Sequence, residues 1–450
     1  MALVAVAGSS RSTNTALEEK VAGVAALVDK WRPDDGQCSL FLDGSRREAD
    51  RFLCAAVELH GAMLLVASDV DQERGDECLV RAQGVLEAAM RRLQLELELL
   101  LSTVRSNAVD GAISGHDVVG DAGVVGHIAD AMMAAGYGME CVSTFNSHRR
   151  AEFAAAVRRL LGFAPSQHAH FHKLTWEDVD GKVQSWHTAA GFAFNLAFSR
   201  ERVLCHRVFA ADAALADKVF AGIASDHAAD LLAVAEAAVM RARRAPERLF
   251  HVLDVHATLA EILPAIACIL GNKSEAAARA TAALRNAGDA ARRILMSFEQ
   301  AIQKTTSSKA AVTGSAVLPL TRYVMNYLVL LADYEDTLAR IYQQGESTLT
   351  SGSGSASRVS PSSSADSIGR LVSVLQRKLD AMAVGYRSSA LRSLFMANNT
   401  HYVSKKVRGS SKLEGIVGED WIEEQMAETR RHVDAFVHSA WRDVLSAEKF

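Results

Sequence analysis

The 450-residue chain contains only six prolines and six cysteines. Proline removes a helix hydrogen bond and clashes with the preceding turn, so its scarcity permits long uninterrupted helices. The cysteines are scattered without a CxxC pair, which argues against a disulfide framework and against a zinc ribbon. Buried free thiols in a reducing compartment fit this spacing better. The cysteines are Cys38, Cys54, Cys78, Cys141, Cys205 and Cys268.

A charge excess and a long hydrophobic run are also lacking. The formal net charge is −4, whereas a nucleic-acid-binding domain needs a large basic excess, so we expect no nucleic-acid partner. No stretch reaches the ~18 charge-free apolar residues that span a bilayer. The most apolar run, 257–270, is interrupted by Glu261 and Pro264, and the apolar start, 2–7, is too short for a secretory signal core. The sequence therefore predicts a cytoplasmic protein whose membrane contact is peripheral.

Long helical patterns fill much of the chain. Hydrophobic residues make up 49% and charged residues 23%, a globular balance, but the length is large for one compact core. Apolar residues recur at alternating spacings of three and four, which places them on one helix face, and strand signals are weak. The sequence predicts an all-α fold, an elongated rod of stacked antiparallel helical bundles. The main series run over 86–104, 284–302, 320–341 and 422–444.

Capping signals indicate where some of these helices begin and end. Ser274 is a candidate N-cap. Pro246 and Pro319 suit a first helical turn, where no N–H partner is needed. Gly345 is placed to end the helix that begins at Pro319. The 320–341 series is accordingly predicted to form one continuous helix.

Two segments predict breaks between helices. Residues 106–126 are rich in glycine and aspartate, which is typical of a loop. Residues 345–367 form a low-complexity Ser/Gly segment, which we interpret as a flexible insertion.

No catalytic, cofactor or metal motif is complete. The acidic run 68–77 has calcium-loop spacing, but Arg74 and Val80 stand where an EF-hand needs glycine and glutamate. The alternating histidines of 168–172 converge on a metal only in an extended segment, and no other ligand pair supports a site. Cys141 lacks a placed histidine partner. We therefore predict no enzyme, no cofactor and no metal.

Two clusters of basic residues remain. The cluster around the turn at Pro246 is interpreted as a solvated face. The second cluster is a candidate for weak contact with anionic lipid, to which each Lys or Arg contributes ~1 kcal/mol. Its alternative is a solvated face balanced by acids downstream, Asp420 among them. The candidate lipid-binding residues are Lys405, Lys406, Arg408 and Lys412.

Several segments resemble the plant Exo70 family, a subunit of the exocyst tethering complex. The densest is PLTRYVMNYL at 319–328, followed by ADYEDTL, which is similar to the family's HPLTRYVMNYL and L-x-DY-x-x-TL. The other stretches of this chain that are similar to the family occur in the same order as they do in the family. They are AAMRRL (88–93), AGYGMEC (135–141), APERLFHVLDVHATLAEILPAI (245–266), SFEQAI (297–302), LFMANNTHYVSKKV (394–407) and GEDWIEEQ (418–425).

The resemblance implies the fold of tethering-complex subunits and a function in holding secretory vesicles at the plasma membrane before fusion. It implies other exocyst subunits and small GTPases as partners. Some plant members are linked to immunity, so a diverged interaction protein outside the exocyst is the alternative. The implied organisation is an N-terminal helical region, 1–170, and an Exo70-like domain, 171–450, with an incomplete C-terminal bundle.

The motif side chains have expected packing roles. Tyr323, Tyr327 and Tyr334 are predicted to bury their rings and leave each hydroxyl for a partner. Arg322 and Asn326 are expected to bond nearby backbone or carboxylate groups.

Some residues depart from the family pattern. Ala245 replaces a capping serine and Leu318 replaces a histidine. The family's phosphoinositide binding is associated with a further helical unit that we expect to be missing after Phe450, so no lipid-binding residue is carried over. Trp421 and Trp441 are expected to anchor the last helix.

Overall fold

The computed structural model describes residues 2–31, 39–41, 46–68, 75–103, 118–164, 175–242, 245–305, 316–349 and 364–447. Within these ranges the regular secondary structure is helical and no strand occurs, so the predicted all-α class is confirmed. A π-helical segment, Ala193–Ala197, separates α6 from α7, and a 3-10 turn, Pro246–Arg248, precedes α9.

The helices are α1 (Ala2–Lys30), α2 (Arg46–Ala67), α3 (Gly75–Thr103), α4 (Val118–Ala134), α5 (Gly138–Leu161), α6 (Trp176–Phe192), α7 (Phe198–Val208), α8 (Ala213–Ala242), α9 (Leu249–Leu270), α10 (Glu275–Lys304), α11 (Pro319–Ala332), α12 (Glu335–Leu349), α13 (Ser364–Ala383), α14 (Ser389–Arg408), α15 (Ser411–Val417) and α16 (Glu419–Ala447).

The chain forms two compact units. Unit 1 comprises Met1–His168, Gln184–Val234 and Ile262–Ala278, and unit 2 comprises Ala169–Val183, Ala235–Glu261 and Arg279–Phe450. The predicted domain boundary near residue 170 stays a prediction, because residues 165–174 lie outside the described ranges.

In unit 1, helices α1, α2 and α3 pack on one another through apolar stripes. Leu17, Phe52, Leu59, Leu86 and Leu93 are almost wholly buried there, as the three-and-four spacing requires. Helices α4, α5 and α7 extend this core.

In unit 2, helices α11, α13, α14, α15 and α16 pack together. The predicted cap of α10 is present, in the part of the chain that belongs to unit 1: the Ser274 hydroxyl accepts a hydrogen bond from the Ala277 N–H at 3.1 Å, and α10 begins at Glu275. Pro319 occupies the first turn of α11, as predicted. The 284–302 and 422–444 series lie within α10 and α16.

The prediction of a single helix from Pro319 to Gly345 is wrong. The chain turns at Asp333 and Tyr334, where α11 ends and α12 begins. Glu335 and Asp336 then lie in the first turn of α12, where negative charge is favoured. Because the apolar spacing continues across the turn, the spacing alone does not reveal where α11 ends.

The predicted Ser/Gly segment, 345–367, is too long at both ends. Helix α12 continues past Gly345 to Leu349, and α13 begins at Ser364. Residues 350–363 lie outside the described ranges.

The predicted loop at 106–126 is also partly wrong, because α4 begins at Val118. One of its glycines has a packing role: a Cβ on Gly126 would lie 3.4 Å from the backbone oxygen of Arg207 in α7. Glycine here permits close approach of two helices rather than a turn. Residues 104–117 lie outside the described part.

One helical stretch, Pro246–Leu270, is long and apolar enough to cross a membrane by length and composition alone. It carries Asp254 and Glu261, and its Val252, Leu253 and Leu259 are buried in the protein. A core helix has the same properties.

Candidate functional site

The tyrosines of the densest motif connect α11 to the start of α9. The Tyr323 hydroxyl donates to a Glu247 carboxylate oxygen at 2.6 Å, and the Tyr327 hydroxyl donates to the Pro246 carbonyl at 3.1 Å. The predicted roles of these two hydroxyls are confirmed. Tyr327 is buried, whereas Tyr323 keeps 41% of its surface exposed, so its predicted ring burial is only partial.

Tyr334, just after α11, makes the third bond. Its hydroxyl donates to an Asp254 carboxylate oxygen at 2.9 Å. Burial raises the pKa of Tyr327 and Tyr334, so both phenols are neutral donors at physiological pH.

Aromatic rings from two other motif segments pack on the same tyrosines. Phe298 of α10 lies 4.3 Å from the Tyr327 ring, centroid to centroid, and Phe250 of α9 lies 5.1 Å from it. Phe250 also lies 5.7 Å from the Tyr334 ring. Three segments singled out in the sequence therefore meet in one cluster, which we call the α11 tyrosine cluster (Phe250, Phe298, Tyr323, Tyr327 and Tyr334).

A fourth motif segment holds the other end of α11. Asn399 of α14 is wholly buried, and its side-chain oxygen accepts from the Leu318 N–H at 3.0 Å and from the Thr321 hydroxyl at 2.8 Å. Its amide nitrogen donates to the Phe395 carbonyl at 2.9 Å. Leu318, the N-cap residue of α11, makes no side-chain cap hydrogen bond, and Asn399 of α14 holds the start of α11 through the Leu318 N–H and the Thr321 hydroxyl.

The α11 tyrosine cluster is suited to holding helices in place. The carboxylates beside it, Glu247 and Asp254, accept hydrogen bonds from tyrosine hydroxyls. Among the described residues, no group of three or more His, Cys, Asp or Glu could hold a metal ion. The histidines at 168–172 lie outside the described residues, as do residues 69–74 of the acidic run.

The cysteine considered as a nucleophile is also placed. Cys141 is wholly buried, and burial raises the pKa of its thiol to about 12. A thiol that is hardly ionised is a poor nucleophile, which fits a structural role.

The four candidate lipid-binding residues lie at the end of α14 and in α15, but their exposure and their contacts differ. Lys405 and Arg408 are exposed and form no ion pair with any residue that the structure describes. Lys406 is half-buried, with its ammonium 5.9 Å from the Tyr402 ring centre. Lys412 forms an ion pair with Asp333 at 3.1 Å. Two of the four cations thus already have internal contacts.

Acidic residues lie close to this cluster. The hydroxyls of Thr400 and Thr429 are 3.1 Å apart, which sets the register between α14 and α16. Helix α14 ends at Arg408 and α16 begins at Glu419, and so short a connection joins the near ends of two packed helices, which therefore run antiparallel. Counted from the threonine contact, Lys405 lies level with Glu424 and Arg408 with Trp421. The first turns of α16 expose four carboxylates there, namely Glu419, Asp420, Glu423 and Glu424. Their field weakens any attraction of the cluster for anions.

The packing roles predicted for Arg322, Asn326 and Trp441 are not seen in the structure, and Trp421 is only half-buried. Arg322 and Asn326 lie on the exposed face of α11, so the structure gives them no buried bonding role. Trp421 is half-buried, but Trp441 is 56% exposed and does not anchor α16. The sequence reasoning also missed Asn399, although its position on an otherwise apolar helix face was a usable signal.

Two family models of the exocyst component Exo70 match the chain. The model for the C-terminal part of this exocyst complex subunit matches residues 184–447, and the model for its N-terminal part matches residues 21–103. The first match alone covers more than half of the chain.

Curated relatives from Arabidopsis thaliana are similar over most of the chain. Exocyst complex component EXO70B1 is 26% identical over 96% of this chain and 75% of its own length. EXO70C2 is 29% identical over 72% of this chain, and EXO70A1 is 28% identical over 71%. These two matches span about half of the relatives' own lengths, 46% and 48%.

Solved structures of Saccharomyces cerevisiae Exo70 have the same fold. One superposes with a TM-score of 0.67 over 96% of this chain and 81% of the yeast chain, at 12% sequence identity, and another with a TM-score of 0.66. Members of this family are structural proteins, so the chain is not an enzyme. The family models, the relatives and the fold agree: the chain belongs to the Exo70 family.

Proposed function

We propose that the chain acts as an exocyst subunit that helps to hold secretory vesicles at the plasma membrane, by protein binding and without catalysis. The relatives are named as exocyst components, which supports this role. The observation that carries the proposal is the α11 tyrosine cluster with Asn399, because four motif segments of the family pack together there. We propose that these contacts hold the helical surfaces in place for partners.

The proposed partners are the other exocyst subunits and small GTPases, and the proposed location is cytoplasmic and peripheral at the plasma membrane. To test this, the tagged chain would be purified from plant cells beside a tagged variant with Asn399→Leu. We expect the wild-type chain to recover the other exocyst subunits and the variant to recover fewer, because the start of α11 loses its two hydrogen bonds to Asn399. Circular dichroism would check that both are helical.

We keep as a second proposal an interaction protein that has left the exocyst and acts in plant immunity. The chain has diverged from the three relatives above, to which it is 26–29% identical. A well-folded chain that recovers no exocyst subunit would contradict the first proposal and support this one.

We also propose a weak phosphoinositide contact at Lys405 and Arg408, the two exposed cations of the 405–412 cluster that form no ion pair with a described residue. Two such charges contribute ~2 kcal/mol near an anionic membrane, and the carboxylates of α16 reduce that. Cosedimentation with vesicles containing phosphatidylinositol 4,5-bisphosphate should fall about threefold in a Lys405→Gln, Arg408→Gln variant. Lys304→Gln, at an exposed lysine of α10, is the matched control. Equal binding by all three proteins would contradict the contact.

A further inference from the structure

An arginine stands three positions before a serine at two places in the chain, and before no threonine at that spacing. The two segments are RLVS at 370–373 and RGSS at 408–411. Many serine/threonine protein kinases recognise a substrate by such a cation, because acidic side chains of the kinase pair with it. Both segments belong to unit 2. The structure distinguishes between the two serines, Ser373 and Ser411.

Ser373 lies in the middle of α13 and is held there. Its hydroxyl donates to the Gly369 carbonyl at 2.9 Å, and its sequence neighbours Val372 and Val374 are each only 1% exposed. A kinase binds its target as an extended segment, so phosphorylation of Ser373 would require a core helix to unwind and expose both valines. The fold therefore excludes Ser373 as a substrate while α13 is intact.

Ser411 lies in the first turn of the seven-residue helix α15, directly after the turn that ends α14. Its side chain is exposed, and of the seven residues of α15, all of them described, Leu413 alone is buried. The bonds at this helix start include one from the Leu413 N–H to the Ser410 hydroxyl at 3.4 Å, which is long for a hydrogen bond. Opening residues 408–412 therefore costs much less than unwinding α13.

Ser411 also lies within the basic cluster described above. Lys405, Lys406 and Arg408 precede it, and Lys412 follows it directly. The neighbouring Ser410 is less suited, because it is half-buried and its hydroxyl already accepts the cap bond of α15. Position, exposure and charge thus agree on one serine.

We infer that Ser411 is a phosphorylation site for a serine/threonine kinase that recognises arginine three residues before its target, and that the phosphate neutralises the basic cluster. In the transfer, the Ser411 Oγ attacks the γ-phosphorus of ATP. The bond from that phosphorus to the oxygen bridging to the β-phosphate breaks, and ADP leaves. The hydroxyl proton passes to the catalytic aspartate of the kinase.

The charge of the phosphate accounts for its expected effect. A phosphoserine carries about −1.5 to −2 at pH 7, which is close in magnitude to the two positive charges of Lys405 and Arg408. It also stands next to Lys412, whose partner is now Asp333 at 3.1 Å. Phosphorylation should therefore switch off the phosphoinositide contact proposed above. This effect rests on that proposed contact, whereas the modification site does not.

The first test is phosphorylation of the purified full chain with ATP by a calcium/calmodulin-dependent protein kinase, which requires arginine at this spacing. Peptide mass spectrometry would locate the phosphate, which we expect on Ser411. Synthetic peptides of residues 367–377 and 405–415 remove the influence of the fold. We expect the kinase to phosphorylate both peptides, but to leave Ser373 unmodified in the folded chain.

Variants then test the recognition. Ser411→Ala should lose most of the incorporated phosphate, and Ser373→Ala should incorporate as much as wild type. Arg408→Gln should slow phosphorylation of Ser411 about tenfold, because the kinase loses its charge pair. Arg431→Gln, at an exposed arginine of α16, is the matched control and should leave the rate unchanged. Thermal melts by circular dichroism would check that each variant folds.

The second test measures the effect on lipid. Cosedimentation with vesicles containing phosphatidylinositol 4,5-bisphosphate should fall about threefold when the wild-type chain is phosphorylated. The kinase-treated Ser411→Ala variant should bind like the untreated wild-type chain, which separates the phosphate on Ser411 from any other.

The two tests can fail separately. Phosphate on Ser373 or Ser410 in the folded chain, or an unchanged rate in Arg408→Gln, would overturn Ser411 as the site. Equal vesicle binding by the phosphorylated and unphosphorylated chains would overturn the neutralisation. An unphosphorylated chain that binds no vesicles would overturn the lipid contact together with its control by phosphate, while mass spectrometry would still decide the modification site.

Discussion

The two units of the chain differ in the kind of polar side chain that they bury. The Asp, Glu, Lys and Arg side chains that are buried among the described residues all lie in unit 1: Arg92, Glu96, Arg149 and Glu201. The buried polar groups described in unit 2 are threonines, serines, Asn399, Gln425 and a histidine. Unit 1 thus relies on paired charges and unit 2 on uncharged hydrogen bonds.

The paired charges of unit 1 connect segments that are far apart in sequence. Arg149 of α5 donates from two nitrogens to the two carboxylate oxygens of Glu201 in α7, at 2.8 and 2.6 Å. Glu96 of α3 accepts from Arg92, from the Ser39 hydroxyl at 2.6 Å and from the Leu40 N–H at 2.7 Å. Such pairs add little net stability, but losing one partner leaves an uncompensated buried charge. The two units should therefore respond to substitution with different magnitudes.

The largest effect is expected in unit 1 from Glu201→Gln. The nearly isosteric amide leaves the Arg149 guanidinium buried without a counter-charge, which should lower the free energy of unfolding by about 3–5 kcal/mol. Urea denaturation would measure the loss, and hydrogen exchange would locate it in α5 and α7.

Asp226→Asn is the matched control for this prediction. Asp226 pairs with Arg150, next to Arg149, but both side chains are substantially exposed, so its loss should cost under about 1 kcal/mol. The double variant Arg149→Met, Glu201→Leu should recover most of the loss, since it removes both charges. Similar costs for Glu201→Gln and Asp226→Asn would refute the contrast between buried and exposed pairs.

The next effect is expected in unit 2 from Asn399→Ala. The Leu318 N–H and the Thr321 hydroxyl would lose their acceptor in a buried place, at a cost of about 2–4 kcal/mol. Hydrogen exchange should increase at the start of α11 and remain unchanged in unit 1. Asn326→Ala, on the exposed face of α11, serves as the control, with an expected change within about 0.5 kcal/mol. Equal effects of the two substitutions would mean that the hydrogen bonds of Asn399 do not stabilise the start of α11.

A smaller effect is expected for Tyr327→Phe, which keeps the ring in the α11 tyrosine cluster and removes only its bond to Pro246. A single neutral hydrogen bond contributes about 0.5–1.5 kcal/mol, and thermal or urea unfolding would measure it. Tyr323→Phe should cost less, because its more exposed hydroxyl lets water replace the bond to Glu247.

The same tyrosines predict loosening of unit 2 at high pH. Burial raises the folded-state pKa of Tyr327 and Tyr334 above the ordinary value of about 10. Above that pH the unfolded chain releases protons that the folded chain retains, so their contribution is complete below about pH 10 and declines as pH rises. Unit 2 peptides that exchange no faster at pH 11 than at pH 9, after correction for intrinsic rates, would contradict this.

Local periodicity made the long helices α3, α10 and α16 predictable, whereas the contacts that distinguish the two units were not predictable from it. The series from Leu284 and Ile422 each fall within one helix, and the series from Leu86 lies in α3 up to Leu100, since residue 104 is outside the described ranges. The turn at Asp333 was hidden because its flanks continue the same spacing. Arg149 and Glu201 are 52 residues apart, and no local pattern links them.

Periodicity also located hydrophobic stripes without showing what covers them. The series from Ile422 correctly predicted α16 but not that Val437 and Trp441 remain exposed. The basic residues of 405–412 were visible in the sequence. The ion pair of Lys412 with Asp333 was not, since it depends on how α15 packs near α11.

The smallest effect is expected in unit 1. There stability should fall as the pH is lowered, whereas in unit 2 it should fall as the pH is raised. His227 stacks on Phe153 with ring centres 5.0 Å apart, and burial lowers the pKa of its imidazole despite the nearby Asp226 and Asp230. Below the unfolded value of about 6.5 the unfolded chain binds a proton that the folded chain resists. The contribution of His227 is therefore complete above about pH 6.5 and declines as pH falls towards 5.

His227→Gln should flatten the fall in stability between about pH 7 and 5, measured by urea midpoints at several pH values. His438→Gln, at an exposed histidine of α16, should leave the curve as in wild type. Hydrogen exchange at low pH should increase first in α5 and α8, which carry Phe153 and His227. If α11 and α14 loosened first instead, acid sensitivity would belong to the uncharged network, and the contrast between the units would be wrong.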